Sequence, residues 1–175
     1  MNNPLVRDAT EDDCAAIQAI YAEHVLHGLA SWEETPPYVA EIARRMAEIK
    51  KGGFPYRVIE LDGVVRGYAY AGSYRPRPAY RHTVENSIYV DVSHYKKGLG
   101  GKLLKDLIEQ CTELGFRQMV AIIGDSGNTA SITLHARFGF THCGILRSLG
   151  YKHGRWLDQV QMQLALGEGD KTPPR

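Results

Sequence analysis

Cysteine is scarce in this sequence, three in 175 residues, and no Cys-x-x-Cys pair occurs. An odd set spaced as widely as Cys14, Cys111 and Cys143 argues against a disulfide framework, so a reducing cytoplasm is the expected setting. The seven histidines are equally scattered, with His24 and His27 nearest to one another, and no metal site is predicted. Long apolar runs are missing too: residues 119–123 are typical, far short of the ~20 needed to cross a bilayer. The opening Met1-Asn2-Asn3-Pro4-Leu5 lacks the basic-then-apolar build of a secretory signal. Nor does one charge dominate, with Lys+Arg 21 against Asp+Glu 20. Nucleic acid, membrane surfaces and polycationic partners are therefore not expected, and electrostatic selectivity has to be local.

What is present suffices for one core, with 43% apolar residues in a chain of ordinary domain length. Residues 1–166 read as a single domain, and 167–175, with Pro173 and Pro174, as a disordered tail. Residues 5–9 predict a strand. Thr10 with Asp13 offers a near capping box before a helix whose Cys14, Ile17, Ile20, Tyr21, His24 and Val25 recur at helical spacing. Residues 28–37, with Trp32, Glu33 and two prolines, predict an ordered loop; Val39, Ile42, Met46 and Ile49 then mark a second amphipathic helix, ending at Gly52-Gly53. Residues 56–61 and 64–70 flank Asp62-Gly63, the strongest hairpin signal in the chain. Residues 83–90 predict a strand leading into Lys96-Lys97-Gly98-Leu99-Gly100-Gly101, and Leu103, Leu104, Leu107, Ile108 and Cys111 continue as a helix closed by Gly115. A buried strand over 119–123, a helix over 128–138 and a closing antiparallel pair, 141–149 with 156–164, complete the order. The class is mixed α/β (α+β), mostly antiparallel around one parallel crossover.

The glycine segment is the most informative unit. N–H groups freed by Gly98, Gly100 and Gly101 at a helix start, with Lys96, Lys97 and Lys102 nearby, suit a phosphate or pyrophosphate. A dinucleotide fingerprint fails, because Leu103 stands where its third glycine belongs and no acidic residue ends the next strand. A triphosphate loop fails as well, with Lys96 in place of its first glycine and Leu103 in place of Ser or Thr. A coenzyme A pyrophosphate loop, or a plain turn without ligand, remains. Gly124-Asp125-Ser126-Gly127 matches the surroundings of a serine-protease nucleophile, but a Ser between a buried strand and a helix in this order reads as loop.

Tyr95-x-x-Gly98-x-Gly100 after a β-run, followed by Asn128 opening a helix that ends Arg137-Phe138-Gly139-Phe140, resembles the paired motifs of the GNAT N-acetyltransferase superfamily. Within it, Ser31-Trp32-Glu33-Glu34-Thr35-Pro36, Tyr74-Arg75-Pro76, the run from Thr83 to Val90 and Lys152-His153-Gly154-Arg155-Trp156-Leu157-Asp158 are similar to phosphinothricin and methionine sulfoximine acetyltransferases. The resemblance spans roughly residues 5–165. Tyr95 replaces the usual Gln or Arg, and His135 stands where many members carry a Tyr, as it does in the phosphinothricin branch.

That resemblance implies a GNAT-type sheet splayed at an acetyl-CoA site, acetyl-CoA as cosubstrate, a small amino-acid-like acceptor with an anionic group, and a homodimer. It implies Glu85 as general base; from the residues alone, an exposed strand Glu at a sheet end fits equally. The Val90 N–H is a candidate oxyanion donor, and Ile88, Tyr89 and Val90 would pair with the pantetheine amides as an added strand would. Lys96, Lys97, Gly98, Leu99, Gly100 and Gly101 would hold the pyrophosphate. Asn128 and Ser131 fit the pantetheine arm or simple caps; His135 fits protonation of the thiolate or packing against the sheet. Arg75 and Arg77, with Arg81 nearby, suit bidentate binding of an anion. The resemblance supports Arg75, Pro76, Arg77, Glu85, Asn86 and Ser87 as acceptor-lining. Trp32 and Glu33 would form the facing wall, helped by Tyr89, Lys152 or Trp156. A protein or polyamine N-acetyltransferase, or a non-catalytic acetyl-CoA sensor, stands as the alternative.

Overall fold

The computed structural model describes residues 3–174. Met1 and Asn2 of the opening segment and Arg175 of the tail lie outside the described residues. The first strand, β1 (Leu5–Asp8), leads through a short 3-10 turn (Glu11–Asp13) into α1 (Cys14–His27). The expected capping box is present: Thr10 N–H donates to Asp13 Oδ2 at 2.7 Å, satisfying an amide that a helix start leaves free. Asp13 also takes both Arg7 terminal nitrogens, at 2.7 and 2.8 Å, which holds its carboxyl below the ordinary value. After α2 (Val39–Lys51) come β2 (Tyr56–Leu61), β3 (Val64–Ser73) and β4 (Thr83–Val90). Asp62 and Gly63 both take positive φ, 54° and 76°, the left-handed pair that a two-residue hairpin requires. The chain continues through α3 (Leu99–Glu113), β5 (Gln118–Gly124), α4 (Thr129–Arg137), β6 (Thr141–Lys152) and β7 (Arg155–Ala165).

Seven strands form one sheet in the order β1-β2-β3-β4-β5-β7-β6. Every pairing is antiparallel except β4 with β5, the crossover that α3 makes possible. Two cores follow from strand alternation. On one face Leu99, Leu103, Leu104, Leu107 and Cys111 of α3, spaced at three and four, pack on Ala69, Ala71, Val84 and Met119. Each such leucine contributes ~1.5–3 kcal/mol, so this helix is firmly anchored below the site. On the other face α1 and α2 cover Tyr56, Val58 and Tyr68, with Tyr70 and Tyr89 packed alongside.

The closing pair runs further than the sequence suggests. β6 passes the expected end at residue 149 across a register shift between Leu146 and Gly150 and turns at His153-Gly154, φ 50° and 75°. Residues 167–174, expected as a disordered tail, lie against the body: Gly169 N–H donates to Leu166 O, and Arg117 donates to the Thr172 and Pro173 carbonyls at 2.7 and 3.1 Å. Among the described residues no helix is long and apolar enough to cross a membrane, and no group of three His, Cys, Asp or Glu could hold a metal ion.

Candidate active site

Parallel pairing between β4 and β5 covers Thr83–Asn86 against Gln118–Ala121 and then stops, although β4 runs on to Val90 and β5 to Gly124. The sheet splays there. Asp91 N–H donates to Arg66 O at 2.9 Å, with Val90 opposite Gly67. By antiparallel alternation, Ile88 and Val90 therefore turn their N–H and C=O groups away from β3, toward the gap. The gap opens as a cleft of about 610 Å³ between β4, β5 and α4.

The glycine loop closes one end. Gly98 caps α3 in the left-handed region at φ 77°, affordable only without a Cβ. The N–H groups of Leu99, Gly100 and Gly101 lie in the first turn, where no intrahelical acceptor exists and the helix dipole is positive. A Cβ added at Gly100, which lines the cleft, would lie 3.4 Å from Leu134 and 3.7 Å from Val90, within ordinary contact of both side chains. The loop and cleft thus fit a pyrophosphate with a narrow extended arm behind it. Lys96 lines the cleft; Lys97 is exposed and does not.

On α4, Asn128 serves as the helix cap, its Oδ1 accepting from Ser131 N–H at 3.2 Å, and both residues line the cleft. One turn on, His135 is buried, 4% exposed. Its Nδ1 stands 2.8 Å from Ser131 O and its Nε2 3.0 Å from Asn86 Oδ1. Burial pushes its pKa down.

Alternation puts Glu85, Ser87 and Tyr89 on the opposite face of β4 from Val84, Asn86 and Ile88. Glu85 is half-buried, and desolvation raises its carboxyl above the ordinary value while the charge of Arg75 opposes the rise. Arg75 sits 5.2 Å over the Tyr74 ring; Pro76 and Arg77 are exposed beside it. Glu33 is committed to other partners, since Arg45 donates to it at 2.6 Å and Tyr21 Oη at 2.9 Å. Trp32 stacks so close to Gly150 that a Cβ there would lie 2.7 Å from the ring. The same loop is tied by Lys152, 3% exposed, whose Nζ donates to Ser31 O at 2.7 Å and Gly28 O at 3.0 Å. Trp156 is 64% exposed.

Of the residues singled out by sequence, Asn86, Ser87, Ile88, Tyr89, Val90, Lys96, the run 98–101, Asn128, Ser131 and His135 converge on the cleft. Trp32, Glu33, Arg75, Pro76, Arg77 and Glu85 are not among its lining residues. His24, His94 and Arg137 line it too, although no site role was expected of them. His24 lay in the apolar stripe of α1, where its spacing marked it as core. Ser126 makes no histidine pair; its hydroxyl donates to Asp158 at 2.7 Å.

A family model described as an acetyltransferase (GNAT) domain matches residues 6–161. The chain is 50% identical over 169 residues to a phosphinothricin N-acetyltransferase of Alcaligenes faecalis, covering 97% of this chain and 86% of that protein. It is 43% identical over 166 residues to an L-methionine sulfoximine/L-methionine sulfone acetyltransferase of Salmonella typhimurium, covering 93% and 95%. The fold superposes with a TM-score of 0.96 on the crystal structure of a GNAT superfamily phosphinothricin acetyltransferase from Sinorhizobium meliloti in complex with AcCoA, at 47% identity, covering 98% of this chain and 93% of that one. With a splayed sheet, a glycine loop at the start of α3 and a family match along most of its length, this chain belongs to the GNAT acetyltransferase family, whose cosubstrate is acetyl-CoA.

Proposed function

We propose that the chain acetylates the amine of a small amino-acid-like acceptor bearing an anionic group, of the phosphinothricin and methionine sulfoximine or sulfone class, by direct transfer with Glu85 as general base. One observation carries the reading: β4 has an unpaired edge at Ile88 and Val90 for the donor and, on one face, a half-buried Glu85 under the influence of Arg75. Acetyl-CoA, when bound, supplies the activated acetyl group. The first-turn amides of α3 with Lys96 hold its pyrophosphate, and the free edge of β4 with Asn128 and Ser131 holds the pantetheine arm.

Each remaining need has a residue. Desolvation strengthens Glu85 as a base, so it takes the acceptor amine's proton as the nitrogen attacks. The Val90 N–H donates to the thioester oxygen, where negative charge develops. His135 stands on the α4 side of the cleft as the candidate acid for the departing sulfur. Arg75 and Arg77 suit the acceptor's carboxylate or phosphinate. A small acceptor fits better than a peptide because Lys152 and the Glu33–Arg45 pair tie residues 28–33 down, which narrows the groove an extended chain needs. As a homodimer, the molecule would cover Leu146, Leu149, Tyr151 and Trp156, all exposed on the β6–β7 pair at the sheet edge; sedimentation of wild type against Trp156→Glu tests this.

The deciding experiment is acetyl-CoA-dependent thiol release with phosphinothricin, methionine sulfoximine, methionine sulfone and a panel of other amines, comparing wild type with Glu85→Gln. Saturable turnover of the first three, lowered about 10²–10⁴-fold in the variant while acetyl-CoA still binds, is the expected result. Tight cofactor binding with no turnover of any amine would instead leave a sensor or a protein-directed enzyme.

A further inference from the structure

β4 loses β5 beyond Asn86, so at Val90 only the β3 side is paired, yet the last residue of the strand has to hold an extended conformation to keep its N–H directed into the gap. A strand end paired on one side only frays more readily than one held on both. Here one side chain reaches that end. His24, near the close of α1 and 7% exposed, places Nε2 2.9 Å from the Val90 carbonyl oxygen. A carbonyl only accepts, so Nε2 carries the hydrogen. The ring is itself fixed, edge-on to Tyr89 at 5.3 Å and tilted against Tyr95 at 6.3 Å, and its base is set by α1 packing on Tyr68 and Tyr89. On the β3 side, Asp91 N–H is bound to Arg66 O at 2.9 Å. Val90 is thereby gripped by its own carbonyl and by the next amide, and its N–H is left free.

We propose that His24 is a positioning residue for acetyl transfer: its Nε2–H takes the place of the ladder bond that β5 withholds and holds Val90 so that its N–H faces the thioester oxygen. The inference rests on Val90 as the oxyanion donor in the reaction above. It also means that the Val90 carbonyl is already engaged, so Ile88 is the residue of this edge with both its N–H and its C=O open to the pantetheine amides.

Two variants separate the hydrogen bond from the packing. His24→Phe keeps a ring against Tyr89 and Tyr95 but cannot donate; His24→Gln can present an amide N–H at a similar reach. With the best acceptor, His24→Phe is expected to lower kcat about ten- to a hundredfold, the scale on which misplacement of a reacting group is felt. The KM for acetyl-CoA and the Kd for free coenzyme A, which has no thioester oxygen, should stay within about twofold, because positioning acts on the transition state rather than on uniform binding. His24→Gln should recover most of the loss. Unchanged kcat in His24→Phe, equal losses in both variants, or a loss appearing as weakened coenzyme A binding would each overturn the proposal. If either variant fails to fold, the wild type decides by ¹⁵N NMR: a neutral His24 with its hydrogen on Nε2 and scalar coupling to the Val90 carbonyl supports the assignment, and hydrogen on Nδ1 refutes it. Failure of the wider reading looks different, since wild type would then turn over no amine, or Glu85→Gln would retain full activity while His24→Phe lost it.

Discussion

Asn86 on β4 and His135 on α4 meet across the floor of the cleft, Oδ1 to Nε2 at 3.0 Å. Asn86 is oriented by its own Nδ2, which donates to Val120 O at 3.3 Å, so an acceptor oxygen faces the ring. The other ring nitrogen faces a second acceptor, Ser131 O at 2.8 Å; the Ser131 hydroxyl, at 3.4 Å, is the weaker neighbour. Imidazolium satisfies both contacts, while burial pushes the pKa below 6.5. Asn86→Asp should oppose that lowering, because a carboxylate in hydrogen-bond reach favours the charged ring. His135 is expected to titrate higher in that variant than in wild type, read from its ring resonances by NMR; the same midpoint in both would refute the pairing.

Glu85 and Arg75 give a pH prediction with a defined sign. Burial raises the Glu85 carboxyl above 4.5, and Arg75 partly restrains it. The base works deprotonated, so kcat/KM for the acceptor should fall as pH drops through a midpoint above 4.5. Arg75→Ala removes the restraining charge and moves that acid limb to higher pH. Because Arg75 is exposed, the displacement should be small near physiological salt and larger at low ionic strength. The position of the limb, not its height, reports the charge effect, because loss of Arg75 from the acceptor pocket changes the height alone. A limb that moves down or stays put contradicts it.

The same desolvation predicts a trade between activity and stability. A carboxyl whose pKa is raised on folding binds more protons folded than unfolded, so its contribution to stability is lost as pH rises through that raised value. At neutral pH the buried charge opposes folding. Glu85→Gln removes it and should be slow but melt higher than wild type in a thermal scan at pH 7.5; a lower midpoint would mean that the carboxylate is held by partners and is not a desolvated base.

Gly100 separates the cofactor cradle from the fold. In a helical turn, Gly→Ala is favourable by up to ~1 kcal/mol, and the new Cβ would find Leu134 at 3.4 Å and Val90 at 3.7 Å, ordinary contacts. The protein alone should therefore accept Gly100→Ala with an unchanged or raised melting point. Acetyl-CoA bound at this loop would meet the added methyl, and crowding of that size costs ~1–3 kcal/mol, about five- to a hundredfold in the acetyl-CoA Kd by calorimetry. Unchanged affinity would place the pyrophosphate elsewhere.

The elements that position the site were legible because local chemistry repeats their tertiary role. Asp62-Gly63 has to turn left-handed wherever it sits, Leu103, Leu104 and Leu107 have to face one side of a helix, and the glycines opening α3 leave amides free in any fold. Other features depend on partners distant in sequence. His24 falls on the buried stripe of α1 as a leucine would, and only the approach of Val90, 66 residues on, gives its ring nitrogen a task. Glu33 read as a free wall for the acceptor, but Arg45 claims it from α2. Ser148 at φ 51° and the shift beside it let β6 continue past residue 149, and a serine carries no local signal for that conformation.

Lys152 shows the same dependence and supports a last prediction. A buried ammonium is tolerated when acceptors surround it, and here the carbonyls of Ser31 and Gly28 do so at 2.7 and 3.0 Å, joining the end of β6 to the loop that bears Trp32 and Glu33. Lys152→Met keeps much of the side-chain volume and leaves both carbonyls without their donor, which costs ~1–3 kcal/mol for each group that stays buried. The loop should loosen while β4, α3 and α4 remain as they are. The expected pattern is a lower melting point, acceptor KM raised about tenfold, and acetyl-CoA KM unchanged, because the glycine loop proposed for the cofactor is carried by α3 on the other core. If both KM values rise together, the two faces of β4 do not act as separate donor and acceptor sides. If neither changes, residues 28–33 are not part of the acceptor wall.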